Sequence, residues 1–179
     1  MTIALTRPTI DLLDSWASAV GEFEGGHVDG GGLEEGFVPD RAAGEAFIAR
    51  AELYATPGAE LPDGHVPCDH FWITDDDQVV GFLSFRRELN DYLRRFGGHI
   101  GYSVIPSRRR EGIVREALRL ALRRAAAEGY DRVLLTCDDD NVGSIRTIEG
   151  AGGVLEDVSD APEPGQPQVR RYWIELTES

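Results

Sequence analysis

The chain is short of the features that mark several whole classes of protein. Its 179 residues hold two cysteines, Cys68 and Cys137, which give no disulfide framework. No apolar run is long enough to span a bilayer, and the stretch after Met1 lacks the pattern of a secretory signal. The expectation is a cytoplasmic protein with no membrane partner. Positive charge is scarce too. Eighteen Lys and Arg face 32 Asp and Glu, a formal net charge of −14, and a field of that sign repels nucleic acid and favours cationic partners. There is no internal repeat and no low-complexity tract beyond a glycine-rich loop at 25–36. No metal site is expected. His65, Cys68 and His70 cluster without a fourth ligand at zinc spacing, and Asp138-Asp139-Asp140 lacks the glycine and terminal glutamate of a calcium loop.

What is present is ordinary globular material, 41% apolar and 28% charged, enough for one domain over 1–179 with a real core. Residues 2–6 read as a strand, and Leu12, Leu13, Trp16, Ala17, Val20 and Phe23 follow at helical spacing. After the 25–36 loop, expected to be flexible, Asp40 can cap a helix over 41–54. Residues 68–74 and 78–88 alternate around Asp75-Asp76-Asp77 and predict a hairpin. A short connection at 90–97 leads to a strand at 100–104, a long helix from 111 and an apolar strand at 132–137. That strand–helix–strand unit predicts two parallel neighbours. A short helix over 141–151 and strands at 153–158 and 168–176 complete the chain. A C-terminal edge strand would support a homodimer.

The chain is organised around 98–128. Ile100, Tyr102 and Val104 alternate with Gly101 and Ser103, and Pro106 stops the strand. Ile113, Ala117, Leu118, Ala121, Leu122 and Ala125 then fall on one helical face, and Gly129 is placed to end the helix. A strand that turns through Gly112 into a helix start, beside Arg108, Arg109 and Arg110, suits a phosphate. A solvated arginine turn fits the same local pattern.

The order β, α, α, β, β, β, α, β, α, β, β with that glycine-bearing turn resembles the GNAT family of acyl-CoA N-acyltransferases over nearly the whole chain. The family motif Q/R-x-x-G-x-G/A stands here as Arg109-Arg110-Glu111-Gly112-Ile113-Val114, with Val114 in place of the small sixth residue. Within the family the chain is similar to a group of predicted bacterial acetyltransferases that share stretches like RRELNDYL, GGHIGYSV, LLTCDDDN and RYWI. The resemblance implies an α/β (α+β) GNAT fold, a mixed central sheet of about six or seven strands flanked by about four helices. It implies acetyl transfer from acetyl-CoA to a primary amine of a small, cationic molecule, directly in a ternary complex. A fold that binds CoA or a metabolite without turnover is the alternative.

The resemblance also distributes roles. The 109–114 turn would hold the CoA pyrophosphate, Tyr102, Ser103 and Val104 would pair with the pantetheine arm, and Asn141 with Ser144 would sit beside the cofactor. Asn141 would serve equally as a helix cap. A strand interrupted near Ser103–Pro106 leaves a backbone N–H to polarise the carbonyl. Many members carry a catalytic Glu where Gly98 stands and a Tyr where Ile148 stands. The candidates left for acid–base work are His99, Glu88 and Tyr172, each of which also reads as an ordinary strand residue. Arg87 and Asn90 are candidates for acceptor binding, and Glu22, Glu24, Asp29, Glu34 and Glu35 could attract an amine.

Overall fold

Local sequence signals account for most of the elements. The computed structural model describes residues 1–34 and 36–176, so Glu35 lies outside the described residues. Strand β1 (Ile3–Thr6) leads through a 3-10 turn into helix α1 (Leu13–Gly21), and the glycine loop precedes α2 (Arg41–Ala55). The hairpin is β2 (Cys68–Asp75) and β3 (Gln78–Arg86), followed by a π-helical turn at Leu93–Gly97. Then come β4 (Ile100–Val104), α3 (Ile113–Ala127), β5 (Arg132–Asp138), α4 (Val142–Gly150), β6 (Val154–Ser159) and β7 (Val169–Glu175). Asp40 caps α2, its carboxylate accepting the Ala43 N–H at 2.7 Å. The last turn of α3 closes as the Gly129 and Tyr130 N–H groups reach the carbonyls of Ala126 and Ala125. No helix among the described residues is long and apolar enough to cross a membrane.

The seven strands form two antiparallel sheets, ordered β1-β2-β3-β4 and β5-β7-β6. The expected parallel pairing of β4 with β5 is reduced to one point of contact. The His99 N–H donates to the Leu134 carbonyl at 2.7 Å, and His99 Nδ1 accepts the Leu134 N–H at 2.9 Å. A side-chain nitrogen thus takes the place of the next ladder carbonyl, and the ladder stops. Gly98 permits the approach: its φ is +62°, and a Cβ there would lie 2.5 Å from the Leu134 carbonyl oxygen. Beyond this point the two sheets share no ladder, and a cleft opens between them. The C-terminal strand is also differently placed from expectation. β7 lies between β5 and β6, so the edge is β6, and the argument for a dimer through a C-terminal edge no longer applies.

Helices α1 and α2 cover one face of the larger sheet. Trp16 stacks on Trp72 at 6.0 Å and on Phe47 at 6.2 Å, each such pair contributing about 0.5–1.5 kcal/mol beyond burial. The opposite face packs against α3, where Ile113, Ala117, Leu118, Ala121 and Ala125 are buried and Arg124 lies over Phe71. The glycine loop is packed rather than loose. Val28 and Gly30 are buried, and Gly30 sits so close to β4 that a Cβ would come within 2.4 Å of the Gly101 carbonyl.

Candidate active site

The cleft between the sheets has a volume of about 800 Å³. One wall is the outer edge of β4. Its ladder bonds to β3 join His99 to Arg86 and Ile105 to Val80. Alternation therefore turns the N–H and C=O groups of Tyr102 and Val104 to the open side. A second wall is the start of α3. Helices α2 and α4 have side-chain caps and α3 has none, so its first N–H groups lack an internal partner. Gly112 enters this turn at φ +80° and Arg110 at φ +69°. A Cβ at Gly112 would meet nothing within 4 Å, so the space above the turn is open to a ligand. Val114 lies partly in the core and partly at the cleft wall.

Among the described residues no carboxylate pairs with Arg109 or Arg110, both exposed at the cleft. Arg108 is engaged by Glu111 at 2.7 Å and Asp75 at 3.0 Å, and Glu111 does not line the cleft. Arg115, Arg146, Gly143 and Thr147 also line it, none of them marked by a motif or spacing. The set fits the cofactor that the fold implies: unpartnered N–H groups and unpaired guanidinium groups for phosphate, and an open strand edge for an amide arm.

The third wall is α4. Asn141 caps it, accepting the Ser144 N–H at 3.0 Å. The Tyr102 hydroxyl is buried beside the Ser144 side chain without a well-formed hydrogen bond. Burial pushes its pKa up to about 12. Ile148 is wholly buried in the core.

A second cavity, about 460 Å³, lies on the α1–α2 face and shares Asp29 with the cleft. Ser103 Oγ donates to the Asp29 carbonyl at 2.8 Å, which holds the loop across β4 at the junction. Asn90 lines this cavity, donating to the Gly64 carbonyl at 2.9 Å and accepting the Leu93 N–H at 2.8 Å. Glu34 lines it as well, Glu24 is exposed, and Glu22 accepts from Ser107 at 3.0 and 2.9 Å.

Four candidates lie elsewhere. His99, Glu88 and Arg87 border a separate cavity with Arg94, Asp131, Arg132 and Trp173. His99 is directed there because alternation turns it from the cleft, and its Nδ1 is already bonded to β5. Glu88 lies beyond the end of β3. Arg87 is paired at 2.6 Å with Asp69, a wholly buried carboxylate that Arg7 holds from the other side at 2.7 Å. Removing one partner of such a buried pair is strongly destabilising, so Arg87 is engaged structurally. Tyr172 is fully buried, its hydroxyl donating to Glu149 at 3.1 Å.

His99 and His70 both carry a pKa lowered to about 4, chiefly by burial and then by nearby arginines. Each is neutral when folded, while the unfolded chain takes up a proton below about 6.5. Stability is therefore expected to fall as pH drops from 6.5 toward 4, with a lowered denaturant midpoint. His99→Gln is expected to flatten that dependence, and a wild-type midpoint constant across the window would contradict it.

Residues 40–152 match the model of the Acetyltransferase (GNAT) family. No curated protein matches the chain. Among solved structures, the microcin C7 self-immunity acetyltransferase MccE, in complex with acetyl-CoA and AMP, superposes with a TM-score of 0.73 at 16% identity, covering 97% of this chain and 92% of that one. RimL, a ribosomal L7/L12 alpha-N-protein acetyltransferase in complex with coenzyme A, gives 0.73 at 17% identity, covering 98% and 95%. The acetyl transferase from Salmonella typhimurium that modifies the N-terminal serine of L7/L12 gives 0.68 at 16%, covering 99% and 96%. At these identities the structures attest the fold, and the family model covers more than half of the residues. The chain belongs to the acetyltransferase (GNAT) family.

Proposed function

We propose that the protein acetylates the primary amine of a small molecule by direct transfer, with both substrates bound together and 1–179 acting as one catalytic unit. The observation that carries this reading is the meeting of two cavities at Asp29, one suited to the cofactor and one of small-molecule size. Acetyl-CoA supplies an activated thioester when bound. The residues for holding it are Tyr102 and Val104 along the strand edge, with Ser103 lining the cleft between them while bonded to Asp29, then Arg109, Arg110, Gly112, Ile113 and Val114 at the turn, and Asn141 and Ser144 opposite. Glu111 steadies Arg108 instead.

The open N–H of Val104 is placed to donate to a carbonyl oxygen as charge grows on it. Asp29, exposed at the junction and bonded to His27 at 3.0 Å, attracts the ammonium form of the acceptor and gives its proton a route to solvent. The chain's net negative charge favours encounter with an amine. Tyr102 holds a proton beside the first turn of α4, where the departing thiolate needs one.

The test is acceptor-dependent release of CoA thiol across a panel of small primary amines, with acetyl-CoA binding measured in parallel. Release with at least one amine supports the reading. Binding of acetyl-CoA without release by any amine would favour a module that binds the cofactor without turnover.

A further inference from the structure

We infer that the acceptor carries an oxyanion group, a carboxylate or a phosphate, and that Arg86 and Ser84 hold it on the sheet floor of the second cavity. This rests on the reading that the second cavity takes the acceptor. Strand register sets the arrangement. His70, Ser84 and Gly101 are paired in one row across β2, β3 and β4, and Cys68 and Arg86 form the next row on the same face. That face is the one under α1 and α2, and His70, Ser84 and Arg86 line the cavity.

Three features of this floor point to a missing partner. Ser84 is 3% exposed, yet its hydroxyl bonds to nothing among the described residues. The buried Nδ1 of His70 in the same row is likewise unbonded. Buried polar atoms are nearly always paired, and each orphan calls for an explanation. Third, Arg86 is half-buried and uses only Nη1, which donates to the Gly97 and Gly98 carbonyls at 3.0 and 3.2 Å. No described carboxylate lies within ion-pair distance of it, in a chain with 32 acidic residues.

Gly101 makes these groups reachable. A Cβ there would lie 3.4 Å from both Ser84 Oγ and Arg86 Nη2 and 3.3 Å from the Gly30 backbone nitrogen, so the two side-chain donors and the loop backbone border the space that the missing side chain leaves. A guanidinium and a hydroxyl converging on one point suit an oxyanion, to which charge-assisted hydrogen bonds are the stronger kind. Arg50, reaching from α2 to the Gly32 carbonyl at 2.5 Å, adds positive charge to the same cavity. The cavity is thus lined by both signs of charge, the carboxylates of Asp29 and Glu34 and the guanidinium groups of Arg50 and Arg86. A zwitterionic acceptor finds a partner there for each of its charged groups. The depressed pKa of His70, lowered by burial and then by Arg50 and Arg86, reports the same positive field.

The test is calorimetric titration of CoA-saturated protein with matched pairs: ω-amino acids of increasing length against their carboxamides, and phosphoethanolamine against ethanolamine. At least one acid-bearing member is expected to bind about tenfold or more tightly than its neutral partner, and the two series separate carboxylate from phosphate. Ser84→Ala, which breaks no existing hydrogen bond, is expected to shrink that preference with CoA binding unchanged, and Arg86→Gln to abolish it. Neutral members binding as well as the acids, or no binding by any acid-bearing amine, would overturn the inference. Thiol release with acetyl-CoA keeps the two readings apart. Acids that bind without turnover retain the anion site and defeat the transfer reading, and turnover with no preference for acids does the reverse.

Discussion

Gly112→Glu is expected to weaken acetyl-CoA binding by about a hundredfold or more, with the fold retained. Two effects add. Gly112 sits at φ +80°, where a residue with a Cβ is strained by roughly 1–2 kcal/mol. The new carboxylate also projects into the space above the uncapped start of α3, which is open for at least 4 Å around the Cβ position. A unit charge about 5 Å from a phosphate interacts by roughly 3 kcal/mol at an effective dielectric near 20. At 1.4 kcal/mol per tenfold, that repulsion alone is about two orders of magnitude in Kd. Gly112→Ala carries the strain without the charge and is expected to cost about tenfold at most. Arg109→Ala removes an exposed cation and should cost less than Gly112→Glu. Calorimetric titration with acetyl-CoA, beside a thermal melt for folding, decides the matter. An unchanged Kd in a folded Gly112→Glu variant would mean that phosphate is held elsewhere in the cleft.

How much of this was legible in the sequence depended on how local each cause is. The order of elements follows from alternation, helical periodicity and caps such as Asp40, which act within a few residues. That most of the candidate cofactor residues meet at one cleft was legible for the same reason. Residues 102–104 and 109–114 form one strand–turn–helix unit, and Asn141 and Ser144 form one cap, so naming a piece names its neighbours. The split between the sheets was not legible, because it depends on one imidazole standing in for a backbone carbonyl. Arg86 and Arg87 show the limit plainly. They are adjacent, one faces the second cavity and the other the buried Asp69, and a register shift of one residue would exchange them. The sequence offers Arg87 as the acceptor candidate, and the strand pairing turns Arg86, not Arg87, to the second cavity. Ser84 and His70 had no signal either, since their row exists only once β2, β3 and β4 are paired. Tyr172 read as a candidate hydroxyl, but its place in the middle of the smaller sheet buries it against Glu149.

Tyr102→Phe is expected to lower kcat by about a hundredfold while leaving the KM for acetyl-CoA within about threefold, the split of a group that acts in the transition state and not in binding. On the proposed mechanism the phenol supplies what Ile148 cannot. Ile148 is wholly buried and apolar, and Tyr172 is bonded away from the cleft. Among the described residues Tyr102 is the only phenol lining the cleft, and it sits beside the first turn of α4. Burial raises its pKa to about 12, which fixes the sign of the pH dependence. The group keeps its proton throughout the neutral range, so it is available as a donor and its ionisation does not limit the rate until strongly alkaline pH. The variant should therefore lose rate about equally from pH 6 to 9, with no shift of the acidic limb. Phe keeps the ring packing and removes an oxygen that has no well-formed hydrogen bond, so stability is expected to change little. A variant that binds acetyl-CoA normally and turns over at the wild-type rate would assign the proton to solvent, and Tyr102 would then be a wall of the cleft and nothing more.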